Sequence, residues 1–248
     1  MFRKTIEFIA NEKYVDLKQD QPIPIKLNIP EWYKKLKHSN SARTVKGCIP
    51  FLDSLTSGYL LKVPIDIQIT HNVIHKETGQ KDGFWKTGEI EVELMRSERI
   101  NVNTQNIDVH SNEQLKGSPA NEKNKNLPFY KIYNPWIIKT PPGYSCLFVS
   151  PLNNSDDRFS IIPAIVDTDS YKQEINFPII INGDKYNTLD TIIKKGTPYV
   201  QIIPFKRENW KMKIRGESKE KLLKRSMFYP FTILNNYKNN FWKKKSWT

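Results

Sequence analysis

The sequence predicts a mainly β fold, an antiparallel β-sandwich or barrel with a few short helices and a basic C-terminal helix and tail. Strand-like runs recur about every 10 to 15 residues from Phe129 onward, with Gly and Pro between them. Hydrophobic residues make up 38% of the chain and aromatic residues 12%, which argues against global disorder. The pattern does not alternate strands with helices as parallel βαβ units do.

Four segments of the N-terminal half read as strands. Residues 5–9 predict a strand, and residues 23–29, which lie among prolines, predict an extended edge segment. The clearest signal is VPIDIQI (63–69), in which apolar and polar residues alternate. EIEVEL (89–94) alternates in the same way, so a hairpin with a loose tip is predicted between these two runs.

Three segments read as short helices. EWYKKLK (31–37) follows Pro30, and IPFLDSLTS (49–57) is closed by Gly58, which suits a helix C-terminus. ESKEKLLKRSM (217–227) predicts a basic helix with a narrow apolar stripe.

The domain organisation predicted is one β-rich domain, residues 1–216, followed by a basic helix and an aromatic-lysine tail, residues 217–248. Residues 97–127 are polar and rich in asparagine, which predicts an excursion or an arm that reaches a neighbour. The C-terminal half then resumes strand-like runs, of which the last are YVQIIPF (199–205) and NWKMKI (209–214).

Positive charge is concentrated near the C-terminus. The formal net charge is +13, which favours an acidic partner such as nucleic acid. Residues 206–248 contain 13 basic and 3 acidic side chains, so the remainder is close to neutral. Lysine outnumbers arginine 31 to 8, a bias that an A/T-rich genome produces whatever the protein binds. The charge therefore indicates one segment and not a function for the whole chain.

The tail, NNYKNNFWKKKSWT (235–248), combines aromatic side chains with lysines. Such a segment can stack bases and neutralise phosphates. The candidate nucleic-acid-binding residues are Lys238, Trp242, Lys243, Lys244, Lys245 and Trp247. The favoured alternative is that the aromatic side chains dock on the chain's own body or on a neighbouring subunit, and a lipid surface is the least favoured one.

Several locations and chemistries are not expected. No apolar run reaches the roughly 18 to 20 residues that span a bilayer, and the first residues lack the continuous apolar stretch of a signal peptide. We therefore expect no membrane partner. Cys48 and Cys146 cannot build a disulfide framework, which favours a reducing compartment, and Cys146 is expected to be buried and inert.

The usual cofactor and catalytic motifs are absent from the sequence. It contains neither a nucleotide-phosphate loop nor a Gly-x-Ser-x-Gly elbow, so we expect no cofactor. His71 and His75 have a spacing that suits metal binding on a helix, but they follow a predicted strand and lack a nearby carboxylate. They are weak candidates for a metal site, and surface histidines are the favoured interpretation.

The candidate catalytic residues are Asp167, Asp169 and Tyr171 in the run IVDTDSY. On an extended segment the three side chains share one face. Carboxylates beside a phenol can activate water or bind a sugar hydroxyl. They also serve as turn-capping residues, because aspartate accepts hydrogen bonds from backbone amides, and this second interpretation is favoured.

Parts of the chain resemble an uncharacterised protein family of marine T4-like phages, cyanophages especially. The runs that carry the resemblance are WIIKTPPGYSCLFVSPLN, IIPAIVDTD, INFPIII and IIKKGTPYVQIIPFKRE, and they span roughly residues 129–210. IPEWYKK and CIPFLDSLTSGYLLKVPIDIQI extend it upstream. The resemblance implies a phage source, with the host cytoplasm or the virion as location, and no particular activity.

The C-terminal half also resembles, more distantly, the dUTPase and dCTP-deaminase enzymes of the β-clip fold. The matching pieces are Pro142-Gly143-Tyr144, Val166-Asp167 and Gly196 to Gln201. The resemblance implies that Asp167 activates water and Tyr171 contacts a deoxyribose. The tyrosine lies one residue further from the aspartate than in the enzymes, and Ser150-Pro151-Leu152-Asn153 replaces their phosphate-binding Arg-Ser-Ser. The glycine-rich C-terminal motif is also missing, so the fold is implied more than the activity.

These observations favour a non-enzymatic, homo-oligomeric phage protein that acts in the virion or its assembly, a trimer by analogy with β-clip proteins. Other phage proteins are the alternative partners. The first alternative function is a nucleotide-binding or nucleotide-processing enzyme of dUTPase-like fold. The second is nucleic-acid binding through the basic C-terminal segment.

Overall fold

The structure is a computed structural model that describes residues 4–16, 18, 20–39, 41, 43–72, 107–127, 129–154, 156–227 and 237–248. Across these residues the fold is mainly β with antiparallel strand pairing, as the sequence predicts. Within the described ranges no sheet closes into a barrel, so the architecture is sandwich-like. The predicted strand at 89–94 lies outside the described residues.

The elements are short, in keeping with the frequent prolines. The strands are β1 (Glu7–Ile9), β2 (Ile23–Pro24), β3 (Tyr59–Lys62), β4 (Ile67–Asn72), β5 (Ile107–His110), β6 (Phe129–Ile132), β7 (Ile137–Lys139), β8 (Tyr144–Val149), β9 (Phe159–Ile161), β10 (Ala164–Val166), β11 (Phe177–Ile181), β12 (Thr188–Ile193) and β13 (Pro198–Lys206). The helices are α1 (Glu12–Val15), α2 (Glu31–Lys35), α3 (Ile49–Thr56), α4 (Pro119–Lys123) and α5 (Lys219–Met227). Single 3-10 turns occupy Ile25–Asn28, Val45–Gly47 and Asn112–Leu115, and a π-helical turn occupies Tyr237–Phe241.

Two sheets form the centre of the fold. A five-stranded sheet has the order β10-β8-β13-β3-β2, and a four-stranded sheet has the order β5-β6-β11-β9. Their inner faces meet where Phe177 of β11 packs against Phe148 of β8 and Tyr199 of β13, with ring centroids 5.3 and 5.8 Å apart. All three side chains are buried, so aromatic contacts join the two layers. The pairs β1-β7 and β4-β12 lie beside this core.

The predicted helices at 31–37, 49–57 and 217–227 are confirmed as α2, α3 and α5. The extended segment predicted at 23–29 is only partly correct, since β2 is followed at once by a 3-10 turn. Pro24 has no N–H to continue a ladder, and the Ile25 N–H donates to the Gly58 carbonyl, 3.1 Å away. The chain therefore turns instead of extending the sheet.

The described part of the polar segment, residues 107–127, packs on the body of the chain. Strand β5 pairs with β6 along its whole length. In the turn after α4, the buried Asn124 accepts a hydrogen bond from the Ile181 N–H at 2.8 Å, and the Lys123 carbonyl accepts one from the Gly183 N–H at 3.0 Å. A further role as an arm to a neighbour remains a prediction. In the parts that the structure covers, no helix is long and apolar enough to cross a membrane.

The prediction of a strand at 209–214 is wrong. Residues 208–216, which we call the connecting segment, leave β13 and lead to α5 without forming a helix or strand. They make no backbone hydrogen bond to any residue that the structure describes. Their apolar side chains, Trp210, Met212 and Ile214, are 87%, 83% and 85% exposed. The alternating pattern is present, but no strand among the described residues pairs with it.

Candidate functional site

Strand pairing brings the ends of β8, β10 and β13 together. The register of β13 on β8 pairs Phe205 with Ser145, so Arg207 follows beside the start of β8. The Arg207 N–H donates to the Gly143 carbonyl at 2.8 Å and fixes this position. Strand β10 pairs Val166 with Cys146 on the other edge of β8, which places the Asp167 turn next to Ser145. The predicted carboxylates therefore meet a cation at this corner of the sheet.

Asp169 is the most fully bound carboxylate of this corner. Its two oxygens accept hydrogen bonds from the Arg207 guanidinium, with Nη1 2.8 Å from Oδ1 and Nη2 2.5 Å from Oδ2. The Gly143 N–H donates to Oδ2 at 2.8 Å. The Arg207 hydrogen bonds, followed by that of Gly143, lower the pKa of Asp169 to about 2. Asp169 therefore stays ionised at neutral pH, and its lone pairs are used to hold three chain segments together.

Asp167 is more open, and Tyr171 is separate from the network. Asp167 Oδ1 accepts a hydrogen bond from Ser145 Oγ at 2.6 Å and lies 3.2 Å from Arg207 Nη1. The Tyr171 N–H donates to the Asp167 carbonyl at 2.9 Å, so its backbone closes the turn. Its side chain is exposed, and no hydrogen bond joins its hydroxyl to another residue of the described ranges. The three candidates thus share one turn, but only the two carboxylates act together.

Arg207 is the functional residue that sequence reasoning missed. It lies 38 positions beyond Asp169 along the chain, and only the pairing of β13 with β8 brings them together. The available signal was its place directly after the apolar run YVQIIPFK. With Arg207 included, this corner is an ion-pair clamp that closes the β8, β10 and β13 ends, in agreement with the turn-capping interpretation.

The tail contacts the body of its own chain. Trp242 Nε1 donates to the Asp53 carboxylate, 3.2 and 3.1 Å from its oxygens, and Lys245 Nζ lies 2.5 Å from Asp53 Oδ2. The Trp247 ring packs edge-on against Tyr59 with centroids 6.0 Å apart. Trp242, Lys245 and Trp247 are thereby engaged in docking.

The other three tail candidates remain in solvent. Lys238, Lys243 and Lys244 are exposed, and none forms an ion pair with a residue of the described ranges. The docking interpretation therefore describes the two tryptophans, whereas Tyr237 and Phe241 are exposed. The three lysines are available to a ligand.

The structure leaves the two histidine candidates untested. The backbone of His71 lies in β4 and pairs with Leu189 of β12. The His71 side chain and the whole of His75 lie outside the described residues. The residues that are described contain no group of three or more potential metal ligands. Cys146 is fully buried as predicted, and burial raises the pKa of its thiol to about 11, which suppresses its reactivity.

Comparison with known proteins adds no assignment to this geometry. No protein-family model matches the chain, and no curated protein is significantly similar to it. The resemblances to phage proteins and to β-clip enzymes stay predictions.

Acid is expected to weaken the Asp169 clamp over a defined range. The folded-state pKa of Asp169, about 2, lies below the ordinary value of about 4 for an aspartate. The stabilisation is fully present above about pH 4 and is lost as the pH falls towards about 2. Urea unfolding should therefore show Asp169→Asn less stable than the native sequence at neutral pH, and the difference should shrink in acid.

The matched control is Asp184→Asn, since Asp184 forms an ion pair with Lys125 and its side chain is largely exposed. An exposed pair contributes little, so this variant is expected to leave the unfolding midpoint nearly unchanged. A difference between Asp169→Asn and the native sequence that stays constant from neutral pH to about pH 2 would contradict the clamp.

Proposed function

We propose that this chain is a non-enzymatic, self-associating phage protein with a structural or assembly role. The observation that carries the proposal is the connecting segment, in which Trp210, Met212 and Ile214 are almost fully exposed. Single exposed apolar residues are ordinary, but three large ones at alternate positions are a patch of the kind that marks an interaction site.

The pattern of the connecting segment suits strand addition. In an extended chain, alternate residues share one face, so the three apolar side chains would point one way and Lys211, Lys213 and Arg215 the other. Its backbone groups make no hydrogen bonds within the described residues and are free to pair with a sheet edge.

A second copy of the chain is the occupant that we favour. Strand β10 ends the five-stranded sheet, and its outer edge pairs with no strand of the described ranges. Ile165 in this strand is 63% exposed, so the edge offers both unpaired backbone and an apolar side chain. The connecting segment and the outer edge of β10 therefore both lack a strand partner among the described residues. This supports pairing of the connecting segment of one copy with the β10 edge of another.

The other grounds come from the sequence. The resemblance to phage proteins supports the source, and the β-clip resemblance supports a trimer by analogy. Arg207 forms ion pairs with both Asp167 and Asp169. This favours a structural role for these carboxylates over the activation of water.

Light scattering across a range of protein concentrations tests the proposal. We expect a mass of at least twice the 29.1 kDa of one chain, and three times this value if the trimer analogy holds. A mass of one chain at every concentration would overturn self-association.

Nucleic-acid binding is a second candidate, favoured by the free cations of the tail. The side chains of Lys238, Lys243 and Lys244 are exposed and unpaired among the described residues, next to docked tryptophans. We expect weak binding of single-stranded DNA with a steep salt dependence, because each phosphate contact releases counterions.

Replacing these three lysines with alanine is expected to lower the slope of log K against log salt by roughly 2 for single-stranded DNA. Fluorescence anisotropy with a labelled oligo-dT measures this slope. The control replaces three exposed lysines of the body, Lys26, Lys37 and Lys172. Equal slope changes in the two variants would show that binding is a property of the whole surface and not of the tail.

A further inference from the structure

The docked tail exposes two aromatic side chains that were not among the candidates from the sequence. Tyr237 and Phe241 are the first and last residues of the π-helical turn. Their ring planes meet at 30° and their centroids lie 6.5 Å apart, so the two rings are neighbours on one side of the turn. Tyr237 is 43% exposed and Phe241 62% exposed. Together they form an open aromatic surface, which we call the ring pair.

The turn that carries the ring pair is fixed to the body of the chain. The backbone N–H of Trp242 donates to the Tyr237 carbonyl at 2.7 Å and closes the turn. The Trp242 side chain donates to the Asp53 carboxylate of α3, and the Trp247 ring packs against Tyr59 of β3. The ring pair is therefore held in place before a ligand arrives, which lowers the entropy cost of binding.

The charges beside the ring pair are positive. Lys238 lies within the turn and Lys243 and Lys244 follow it, all three exposed and without an ion pair to a described residue. The tail itself contains no Asp or Glu. The body carboxylate that the tail contacts, Asp53, is already paired with Lys245. This surface therefore attracts an anionic ligand.

A ligand that uses the whole surface must combine negative charge with flat apolar groups. Single-stranded nucleic acid has both, because its phosphates are spaced along the strand and its unpaired bases expose their faces to aromatic side chains. Duplex DNA presents the same phosphates, but its base faces are covered by the neighbouring base pairs. The lysines can bind either form, whereas the ring pair can stack only on the single strand.

We propose that Tyr237 and Phe241 are the base-stacking residues of a single-stranded nucleic-acid site, in which the three free lysines neutralise phosphates. This inference rests on the second candidate function above and assigns the stacking to residues other than the tail tryptophans. Trp242 and Trp247 are docked on the body and act as positioning residues that hold the ring pair outward.

Fluorescence anisotropy with a labelled oligo-dT at low salt tests the ring pair. The joint substitution Tyr237→Ala and Phe241→Ala is expected to weaken binding at least about twentyfold, because stacking on each ring contributes a factor of about five or more. The slope of log K against log salt should stay at the native value, since no phosphate contact is lost. The triple lysine variant, in contrast, lowers that slope.

Two controls separate stacking from damage to the tail. The exchange of the two rings, Tyr237→Phe with Phe241→Tyr, keeps both aromatic side chains and should bind oligo-dT within about twofold of the native protein. A labelled hairpin duplex is the second control. The native protein and the alanine variant should bind it equally, which would show that the lysines are still presented.

Each contrary outcome has a distinct meaning. If the native protein does not bind oligo-dT at low salt, the nucleic-acid function is overturned and the stacking site with it. If the native protein binds but the alanine variant binds equally, only the stacking site is overturned. Equal weakening for oligo-dT and the duplex would also overturn it, since stacking affects the single strand alone. Ring-dependent binding of vesicles that contain phosphatidylserine, without binding of oligo-dT, would assign the surface to lipid instead.

Discussion

Replacing Trp210, Met212 and Ile214 together with serine is expected to raise the dissociation constant of self-association at least about a hundredfold. Burial of each of these side chains in an interface lowers the free energy of the associated state. In the isolated chain all three are exposed to solvent. They contact nothing in the core, so the variant should fold with unchanged stability. Sedimentation equilibrium measures the dissociation constant, and urea unfolding at low concentration measures the stability.

The control for this variant lies in the same segment. Lys211, Lys213 and Arg215 alternate with the apolar residues, and replacing them with glutamine changes the opposite side of an extended chain. This second variant should keep its self-association. If both triple variants associate like the native chain, the apolar face of the connecting segment has no part in it.

Gly58→Ala is expected to lower the free energy of unfolding by about 3 to 5 kcal/mol. Gly58 has φ of +87°, a left-handed conformation that an alanine adopts at a cost. A Cβ at this position would lie 2.0 Å from the Ile202 carbonyl oxygen of β13, which is backbone and cannot move without disturbing the sheet. The effect should reach the buried Gln201, since the Ser57 carbonyl accepts a hydrogen bond from its side chain.

Gly196→Ala separates the two causes of this loss. Gly196 has φ of +85°, but a Cβ there would meet no atom within 4 Å. This substitution should therefore cost only the backbone term, about 1 to 2 kcal/mol. Equal losses for the two glycines in urea unfolding would show that the approach of Gly58 to Ile202 is unimportant.

The sequence predicts this fold well where local pattern decides it. The helix at 49–57 depends on Pro50 near its start and on Gly58 after its end, and both signals are read without knowing the fold. The mainly β class follows in the same way from repeated strand-like runs. The pairing partners do not follow, because antiparallel registers join residues that are distant along the chain.

The candidate site shows the same division. Asp167 and Asp169 could be selected from one short run, whereas Arg207 enters their network only through the pairing of β13 with β8. Tyr199 looks like an ordinary strand residue, and no local pattern reveals that it lies in a bulge between Pro198 and Val200. The run at 209–214 is the converse case, an alternating pattern for which the part of the chain that the structure describes supplies no partner strand.

Hydrogen exchange of the amides at 209–215, followed as a function of protein concentration, tests directly whether a second copy covers the connecting segment. In the isolated chain these amides make no hydrogen bond to a described residue. We expect exchange at the rate of an unstructured peptide in dilute protein, and at least about a hundredfold slower exchange as the chains associate. Exchange that stays at the unstructured rate in the associated protein would contradict it.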